Sequence, residues 1–368
     1  MAETQLASAS VRQRWISEFL AEYVRQSGFA PYMGRGPNRI ISTRYELQNE
    51  AGKTINIPLI TRLKGTGVTG SQVLEGAEED LANYNCAISV EWRRHGVLVP
   101  KSTQYKTEID MANAGREALK VWEAEQMRDD VIRAMAQVVT TGDTTVNLAS
   151  SAAADRNAWA AANADRLLFG AVKSNYSATF ATALGNVDTS NDKCTVATMS
   201  LARRMARQAD PHIRPYRTEE GREYYVAFHG GRTFRDLKSD TVMTQANREA
   251  RAREGNGMDR NPLFQDGDLI YDGLIHREVP EIDDIVSTGS YNLDGKGNSS
   301  ADVRPIFVCG VQSVGVAWGQ EPTPRQQTTD YDFRQGVAIE ELLGVKKMAF
   351  NGKQHGMVTV FCAAAADS

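Results

Sequence analysis

The sequence is poor in the residues that hold disulfides and metals. Its 368 residues include only four cysteines, which form no CxxC pair, and five histidines, which show no HExxH or similar spacing. This pattern excludes a disulfide framework and a zinc site of the usual spacing, and it predicts free thiols in a reducing compartment. We therefore expect no metal and no cofactor. The cysteines are Cys86, Cys194, Cys309 and Cys362.

Long apolar runs and an excess of basic charge are also missing. No run of about 18 apolar residues and no signal peptide can be recognised, so we expect no membrane partner. Lysine and arginine number 42 against 46 acidic residues, which gives a net charge of −4. Bulk electrostatic attraction to nucleic acid is therefore disfavoured, and we expect at most weak, non-specific contact with DNA. The protein is expected to be made and kept in a cytoplasm-like environment.

No nucleophile, base and orienting group can be assembled from the sequence, so we expect no enzyme. One motif, GTGVTG, matches GxGxxG through Gly65, Gly67 and Gly70 and follows a predicted strand. A dinucleotide site also needs a helix that begins at the motif and receives the pyrophosphate. Here no apolar helical pattern follows, and acidic residues come next. A turn-rich loop is the favoured interpretation, and an enzyme with a phosphate-binding glycine loop is the alternative.

The sequence does have one long helical pattern, from about residue 107 to residue 140, which no proline interrupts. Its apolar face drifts, because Leu119 and Trp122 share one side whereas Val131 and Met135 share another. A drifting face predicts a helix that crosses several neighbours rather than half of a coiled coil. We predict that these four side chains belong to the structural core.

The amino-terminal region predicts an amphipathic helix that ends at Gly28. Trp15, Phe19 and Tyr23 fall on one face of this helix. It can pack on the core of its own chain or grip another subunit. The glycine- and proline-rich loop at 31–37 favours an arm that reaches a neighbour.

Two alternating segments, 54–63 and 86–93, flank a stretch rich in glycine and acid. They predict a two-stranded ribbon with a broad tip. An isolated ribbon is barely stable in water, so it needs a surface to lie on.

Beyond residue 140 the predicted strands follow helices without a βαβ rhythm, which indicates an α+β fold. A short helix is predicted around 156–162, a longer one at 196–208 and a polar, arginine-rich one at 231–252. The predicted strands are 223–229, 268–278, 304–311, 327–338, 345–350 and 357–362.

Several blocks, in one order along the chain, resemble the major capsid proteins of tailed phages, in the family typified by coliphage N-four. The similar blocks are 57–60 leading into 63–70, 74–79, Arg116, Leu119, Trp122 and Asp129 of the long helix, 166–170, 213–215, 236–240, 261–264 before 271–273, and Gln312 with 317–319.

The resemblance implies the Hong Kong ninety-seven (Johnson) capsid fold. In that fold an N-terminal arm, an extended β-ribbon loop, a peripheral domain with a long spine helix and an axial domain follow one another. We place the arm at 1–53, the extended loop at 54–100, the peripheral domain with its spine helix at 101–190 and the axial domain at 191–324. Strands of 325–368 are expected to return to the peripheral domain.

The resemblance also implies a function. It predicts a structural major capsid protein that self-assembles as pentamers and hexamers into the icosahedral head shell of a double-stranded DNA phage. Scaffolding, portal and decoration proteins are further candidate partners, and the expected location is the virion, after assembly in the host bacterial cytoplasm. An encapsulin-like compartment shell with the same fold is the alternative.

The predicted contacts between subunits lie on the arm and on the loop. The acids of the loop are expected to meet arginines of the next subunit, either Arg93 and Arg94 or the helix face at 248–253. The predicted contact residues are Trp15, Phe19, Tyr23, Gly65, Gly67, Gly70, Glu75, Glu78 and Glu79.

Overall fold

The computed structural model of the protein describes residues 28–48, 52–105, 111–140, 142–218, 221–246, 264–265, 268–287 and 291–366. Trp15, Phe19 and Tyr23 of the predicted arm, and the arginine-rich face at 248–253, lie outside the described residues.

The described helices include one that is much longer than the others, α2. They are α1 (Lys101–Gln104), α2 (Met111–Met135), α3 (Ala153–Ala162), α4 (Phe180–Gly185), α5 (Val196–Gln208), α6 (Gly231–Ser239) and α7 (Glu281–Ser287). Over the part of the chain that the structure describes, none of them is long and apolar enough to span a membrane.

The described strands, numbered in chain order, form two larger sheets and three short ribbons. The smaller of the two sheets has the spatial order β1 (Met33–Gly34), β2 (Ile41–Arg44), β15 (Val314–Thr329), β16 (Arg334–Lys347) and β5 (Glu91–Pro100). The larger sheet has the order β11 (Phe264–Gln265), β12 (Asp268–Tyr271), β13 (Leu274–Glu278), β10 (Glu223–His229), β14 (Val303–Cys309), β19 (Met357–Ala363) and β8 (Leu167–Phe169), with β9 (Tyr216–Arg217) beside β10. The ribbons are β3 (Thr54–Ile60) with β4 (Asn83–Ser89), β6 (Gln137–Val139) with β7 (Thr145–Asn147), and β17 (Ala349–Phe350) with β18 (Lys353–Gln354).

The larger sheet is covered on both faces. Along β10, Val226 and Phe228 enter the main core, whereas Tyr225 and Ala227 enter a second core on the opposite face. Helices α5 and α6 supply the second core, and α2, α3, α4 and α7 border the main one. Strands buried on both faces read as continuous apolar runs, which is why β10, β14 and β19 are almost wholly apolar.

Helix α2 packs against two cores in succession. Its first half lays Ala112 and Leu119 on β5 and β16 of the smaller sheet, and its second half sends Met127, Val131 and Met135 into the main core. The predicted drift of the apolar face corresponds to this change of neighbours. The helix ends at Met135, before the predicted limit, because the next residues pair as β6 with β7.

The structure places Leu119, Val131 and Met135 in the interior. Trp122 is only half-buried, so the expectation of a core residue is too strong there. Its ring stacks on His95 of β5 with centroids 4.5 Å apart, at the open margin of the helix–sheet contact.

Residues 28–48 belong to the body of the subunit. Phe29, Ile40 and Ile41 are fully buried, and Phe29 packs edge-on against Phe228 of β10 at 4.9 Å. Strand β2 pairs in parallel with β15. An arm that extends to residue 53 is therefore too long, because the chain enters the core before that point.

The carboxyl-terminal region divides between the two sheets. Strand β16 packs on α2, the spine helix of the predicted peripheral domain, and pairs with β5, which the prediction places in the extended loop. Strand β19 instead pairs with β14 and β8 in the larger sheet. Strand β8, which was assigned to the peripheral unit with 101–190, also lies in the larger sheet. The continuous apolar run of β19 suits two covered faces, which the larger sheet offers.

The predicted strand at 327–338 is wrong, because it runs across a turn. The structure has one long hairpin, β15 and β16, that reverses at Asp330, Tyr331 and Asp332. All three residues have positive φ, at 58°, 49° and 64°. A turn of three left-handed residues without glycine lacks the Asn-Gly or Asp-Gly pair that usually marks a hairpin, and the two aspartates alone do not reveal it.

Candidate assembly surfaces

The ribbon β3–β4 packs at one end, its base, against the body of its own subunit. Its strands pair in continuous register from Thr54 with Ser89 to Ile60 with Asn83. Near the base, Cys86 and Ile88 pack with Met348 in a small core. This contact supplies the support that an isolated ribbon lacks.

The loop tip, residues 61–82, carries the glycine motif in an open setting. Gly67, Gly70 and Gly76 have φ values of +67°, +68° and +85°, which explains the need for glycine there. A Cβ atom added at any of these three would meet no atom within 4 Å. No helix follows the motif before β4 begins. The glycines therefore shape turns and form neither the close cradle nor the helix terminus of a nucleotide site.

Glu79 closes the tip from within. Its carboxylate accepts hydrogen bonds from the backbone N–H of Lys64 at 2.7 Å and of Gly65 at 2.5 Å. These bonds, with the charge of Lys64, hold the pKa of Glu79 below its usual value. A Cβ at Gly65 would lie 2.8 Å from the carboxylate, so glycine permits the approach. Glu79 is thus occupied inside its own loop, which differs from the expectation of a side chain free for a neighbour.

The other acids of the tip point to solvent. Glu78 accepts the backbone N–H of Gly76 at 2.7 Å, and Glu75 and Asp80 are exposed without an ion pair to any described residue. Apolar side chains of the ribbon end and tip are exposed by 56 to 72%. They are Ile60, Leu63, Val73, Leu74 and Leu81.

The smaller sheet leaves one face open along β5, beyond the part that the base of the ribbon covers. Alternation along β5 sends His95 and Val97 toward α2 and therefore sends Trp92, Arg94 and Leu98 to the opposite face. Trp92 is 58% exposed and Leu98 is 52% exposed. We call the surface formed by Trp92, Arg94 and Leu98 the open face of the smaller sheet.

The end of the β15–β16 hairpin forms a third apolar surface. Tyr331 and Tyr105 are almost wholly exposed, and Phe333 is half exposed. The backbone N–H of Lys101 donates to the carbonyl oxygen of Phe333 at 2.9 Å, which holds α1 beside the hairpin end. Large exposed aromatic side chains on a strained turn are typical of contact surfaces.

Arg93 is not available to a neighbouring loop. Its guanidinium pairs with both Glu341 of β16 and Asp130 of α2. Glu341 in turn faces Glu123, which is fully buried. Burial, and after it the proximity of Glu341, raises the pKa of Glu123 to about 10, so Glu123 is protonated at neutral pH.

A basic cleft of about 490 Å³ lies between the ribbon and the body. Five basic side chains and a single carboxylate, that of Asp210, line the cleft. The sequence does not predict this cleft, because its lining residues are distant from one another along the chain. The only local signal is Arg62 and Lys64, two residues apart on one face of the chain that leaves β3. The five are Arg62, Lys64, Arg166, Arg214 and Lys353.

Buried histidines form no metal site in the described residues. His229 Nε2 and His276 Nδ1 lie 2.9 Å apart, and Cys194 Sγ lies 4.0 Å from His229 Nδ1. Burial lowers the pKa of both rings, that of His276 to about 3, so the pair is neutral at physiological pH.

Comparison with known proteins agrees with this architecture. A family model described as phage capsid protein matches residues 3–366. The chain is 25% identical over 367 residues to the major capsid protein of Pseudomonas phage KPP25, and the match covers 95% of this chain and 94% of that protein.

Among solved structures, the chain resembles the capsid asymmetric unit of Cyanophage Pam1, with 49% identity, a TM-score of 0.86 and full coverage of both chains. It also resembles the capsid of Ralstonia phage GP4, with 20% identity, a TM-score of 0.68 and coverage of 92% and 90%; at that identity the likeness concerns the fold alone. The chain therefore belongs to the phage capsid protein family: it is a structural capsid protein and not an enzyme, and its mixed helix-and-strand architecture is the Hong Kong ninety-seven capsid fold.

Proposed function

We propose that the chain is the repeating subunit of an icosahedral phage head, assembled from pentamers and hexamers around a double-stranded DNA genome, and that it belongs to the branch typified by coliphage N-four. The family match along almost the whole chain carries the proposal. The exposed apolar surfaces add support, because the loop tip, the open face of the smaller sheet and the hairpin end each leave large side chains uncovered. Such surfaces favour contact with further copies.

The arm and the loop are the proposed grips between subunits. Trp15, Phe19 and Tyr23 contact a neighbour through one helix face, and we now limit the free arm to residues before Gly28. In the loop, Glu75 and Glu78 face the neighbour, and Gly67 and Gly70 give the tip its turns. Gly65 and Glu79 act within the loop, by keeping it closed.

We keep the predicted domain division as a proposal, apart from the shorter arm and a larger axial domain. The extended loop at 54–100 and the peripheral domain with its spine helix, α2, remain as described. The axial domain of 191–324 gains β8 and β19.

Assembly takes place in the host bacterial cytoplasm before the protein becomes part of the virion. Scaffolding, portal and decoration proteins are further proposed partners, and contact with packaged DNA is weak.

Electron microscopy of the expressed full chain tests this proposal. We expect closed shells, or rings of five and six subunits on size-exclusion chromatography. Monomers alone at every salt and crowding condition would contradict it. Shells purified from the phage should contain double-stranded DNA; a protein cargo instead of DNA would indicate an encapsulin-like compartment.

A further inference from the structure

We propose that the basic cleft is the binding site for the acidic loop tip of the next copy of this chain, with the carboxylates of Glu75, Glu78 and Asp80 entering among Arg62, Arg214 and Lys353. This inference rests on the proposed self-assembly and names the surface that receives the loop.

The cleft is built to hold positive charge. At its base the guanidinium of Arg166 is fully buried and donates to the carbonyl oxygens of Pro211, Gln354 and His355 at 2.6 to 2.8 Å. These bonds fix a cation that cannot turn away to solvent. The charges of Arg166 and Arg214 add to burial in lowering the pKa of His355, which shows that they act on the lining of the cleft.

The cations of the cleft are incompletely neutralised within the subunit. Lys64 pairs with Asp210 at 2.5 Å, and Arg62 lies 3.5 Å from the same carboxylate. Lys353 pairs with Asp165 at 3.7 Å, and Arg166 Nε lies 3.6 Å from the same carboxylate. Arg214 is exposed and forms no ion pair with any described residue. Two carboxylates, those of Asp210 and Asp165, pair with four of the five basic groups, which leaves a positive concavity in a chain whose net charge is −4.

The loop tip has the complementary composition. Glu75 and Asp80 are exposed and unpaired among the described residues, and Leu74 and Leu81 flank them. The cleft matches this mixture, because Leu59 and Phe350 line it beside the basic groups. In the single subunit no ion pair joins the acids of the tip to the cleft in the described part. Both surfaces are therefore unsatisfied until a second copy supplies the partner.

The shape of the cleft favours side chains over duplex DNA. A concavity of about 490 Å³ is of the size that encloses a small ligand or a few side chains. A contact between two different patches of one chain is heterologous, and such contacts generate closed rings when the rotation between subunits closes. A tip-to-cleft contact thus produces the rings of five or six that the proposed function requires.

Charge reversal on each side tests the contact. One variant carries Arg62→Glu with Arg214→Glu in the cleft, and another carries Glu75→Lys with Asp80→Lys in the tip. None of these side chains is buried, so both variants should keep the melting temperature of the unassembled subunit. Each should lower the yield of closed shells about tenfold, the factor expected for loss of about 1.4 kcal/mol at this contact. The loss should be larger at low salt than at high salt. The fourfold variant should restore assembly.

Mixing the two charge-reversed chains gives a sharper result. Each tip then fits only the cleft of the other chain, so the two must alternate around a ring. Rings of six can alternate, whereas rings of five cannot. We expect hexamers and open sheets or tubes from the mixture, with closed shells still scarce. Closed shells at full yield from the mixture would overturn the assignment.

Further outcomes separate this inference from the proposed function. Arg204→Glu, at an exposed position of α5 outside all of the proposed contact surfaces, is the matched control and should leave shell yield unchanged. If Arg94→Glu on the open face of the smaller sheet blocks assembly and the tip reversal rescues it, the tip binds the open face and the cleft is excluded. Cleft variants that form normal shells but retain less DNA would assign the cleft to phosphate instead. Failure of the unaltered chain to form shells would refute the proposed function itself.

Discussion

The larger sheet and the extended loop treat their apolar side chains in opposite ways. In the sheet, β10, β14 and β19 bury both faces, and their alternating residues enter two cores of the same subunit. In the loop, Leu74 and its apolar neighbours are exposed to solvent, and hydrogen bonds from the backbone N–H groups of Lys64 and Gly65 to Glu79 hold the turns. The apolar side chains of the sheet are therefore buried within one subunit. The loop has a defined backbone, but in the single subunit none of the described residues covers its apolar side chains. Mutations should separate folding from assembly along this division.

The largest expected effect on the free energy of unfolding comes from truncating a core side chain of the larger sheet. Phe361 of β19 is 1% exposed and stacks on Phe169 at 5.1 Å between centroids. Phe361→Ala should cost about 3–5 kcal/mol of unfolding free energy, as large core truncations do. Leu74→Ala in the loop should change that free energy by less than about 0.5 kcal/mol and reduce assembly instead. Urea unfolding of the unassembled chain measures both, and equal losses would remove the distinction.

The contact between α2 and the smaller sheet tests the comparison at an intermediate position. Leu119→Ala should cost about 2–5 kcal/mol, because the side chain is buried between the helix and the sheet. Trp122→Ala should cost less than Leu119→Ala despite its larger side chain, since Trp122 is half-exposed at the margin. The two melting temperatures, measured under the same conditions, give the order. A larger loss for Trp122→Ala would show that this margin is covered.

The buried carboxyl pair predicts a pH dependence that belongs to the body alone. Glu123 stays protonated in the folded chain up to about pH 10. An unfolded glutamate ionises above its ordinary value of 4.5. The folded state therefore binds more protons between these values, and this group lowers stability as pH rises, by at most about 1.4 kcal/mol per pH unit.

Glu123→Gln should flatten this slope while keeping the loop unchanged. The side chain cannot ionise, so the variant should gain stability over the parent as pH increases from about 5 to about 8. Urea unfolding at several pH values measures the slope. The other charged groups at this position are Glu341, Arg93 and Asp130. Glu125→Gln, at an exposed position of the same helix, serves as a control for general loss of charge. Parallel curves for Glu123→Gln and the parent chain would show that Glu123 is already ionised.

The smallest expected effect lies in the loop. Glu79→Gln should leave global unfolding unchanged and should weaken the closure of the tip, because a neutral amide accepts less strongly than a carboxylate. Hydrogen exchange at the amides of Lys64 and Gly65 should become faster. In the parent chain the same amides should lose protection only at acid pH, as the lowered pKa of Glu79 is passed. Unchanged exchange rates in the variant would indicate that other contacts close the tip.

The sequence was sufficient for elements whose pattern is local and strong. The bounds of α5 and β10 agree with the predicted 196–208 and 223–229, because helical periodicity and a β-branched, aromatic run leave little choice. The drifting face of α2 also predicted a helix with successive neighbours. The β15–β16 hairpin was missed because its turn uses Asp330, Tyr331 and Asp332 instead of glycine.

Contacts between distant residues account for the remaining differences. Nothing near Glu79 in the sequence shows that its carboxylate will meet the backbone of Lys64, so it was predicted to face a neighbour. Arg93 is likewise a predicted partner for the loop, but in the structure its guanidinium pairs with Glu341, which is far along the chain. The cleft depends on Arg62, Arg214 and Lys353 converging from separate elements. A pattern within one segment carries no information about such convergence.

Helix α2 contacts the smaller sheet with its first half and the main core with its second half, so a tilt of the helix moves one of these regions relative to the other. Its 25 residues span about 37 Å, with the first half fixed to β5 and β16 and the second half fixed in the main core. A pivot of about 5° at one end displaces the other by about 3 Å over that length. A slight tilt at the root of the loop would thus be magnified at the far side of the subunit. Neighbouring copies would then meet at different dihedral angles after only a small adjustment of the core contacts at the two ends of α2.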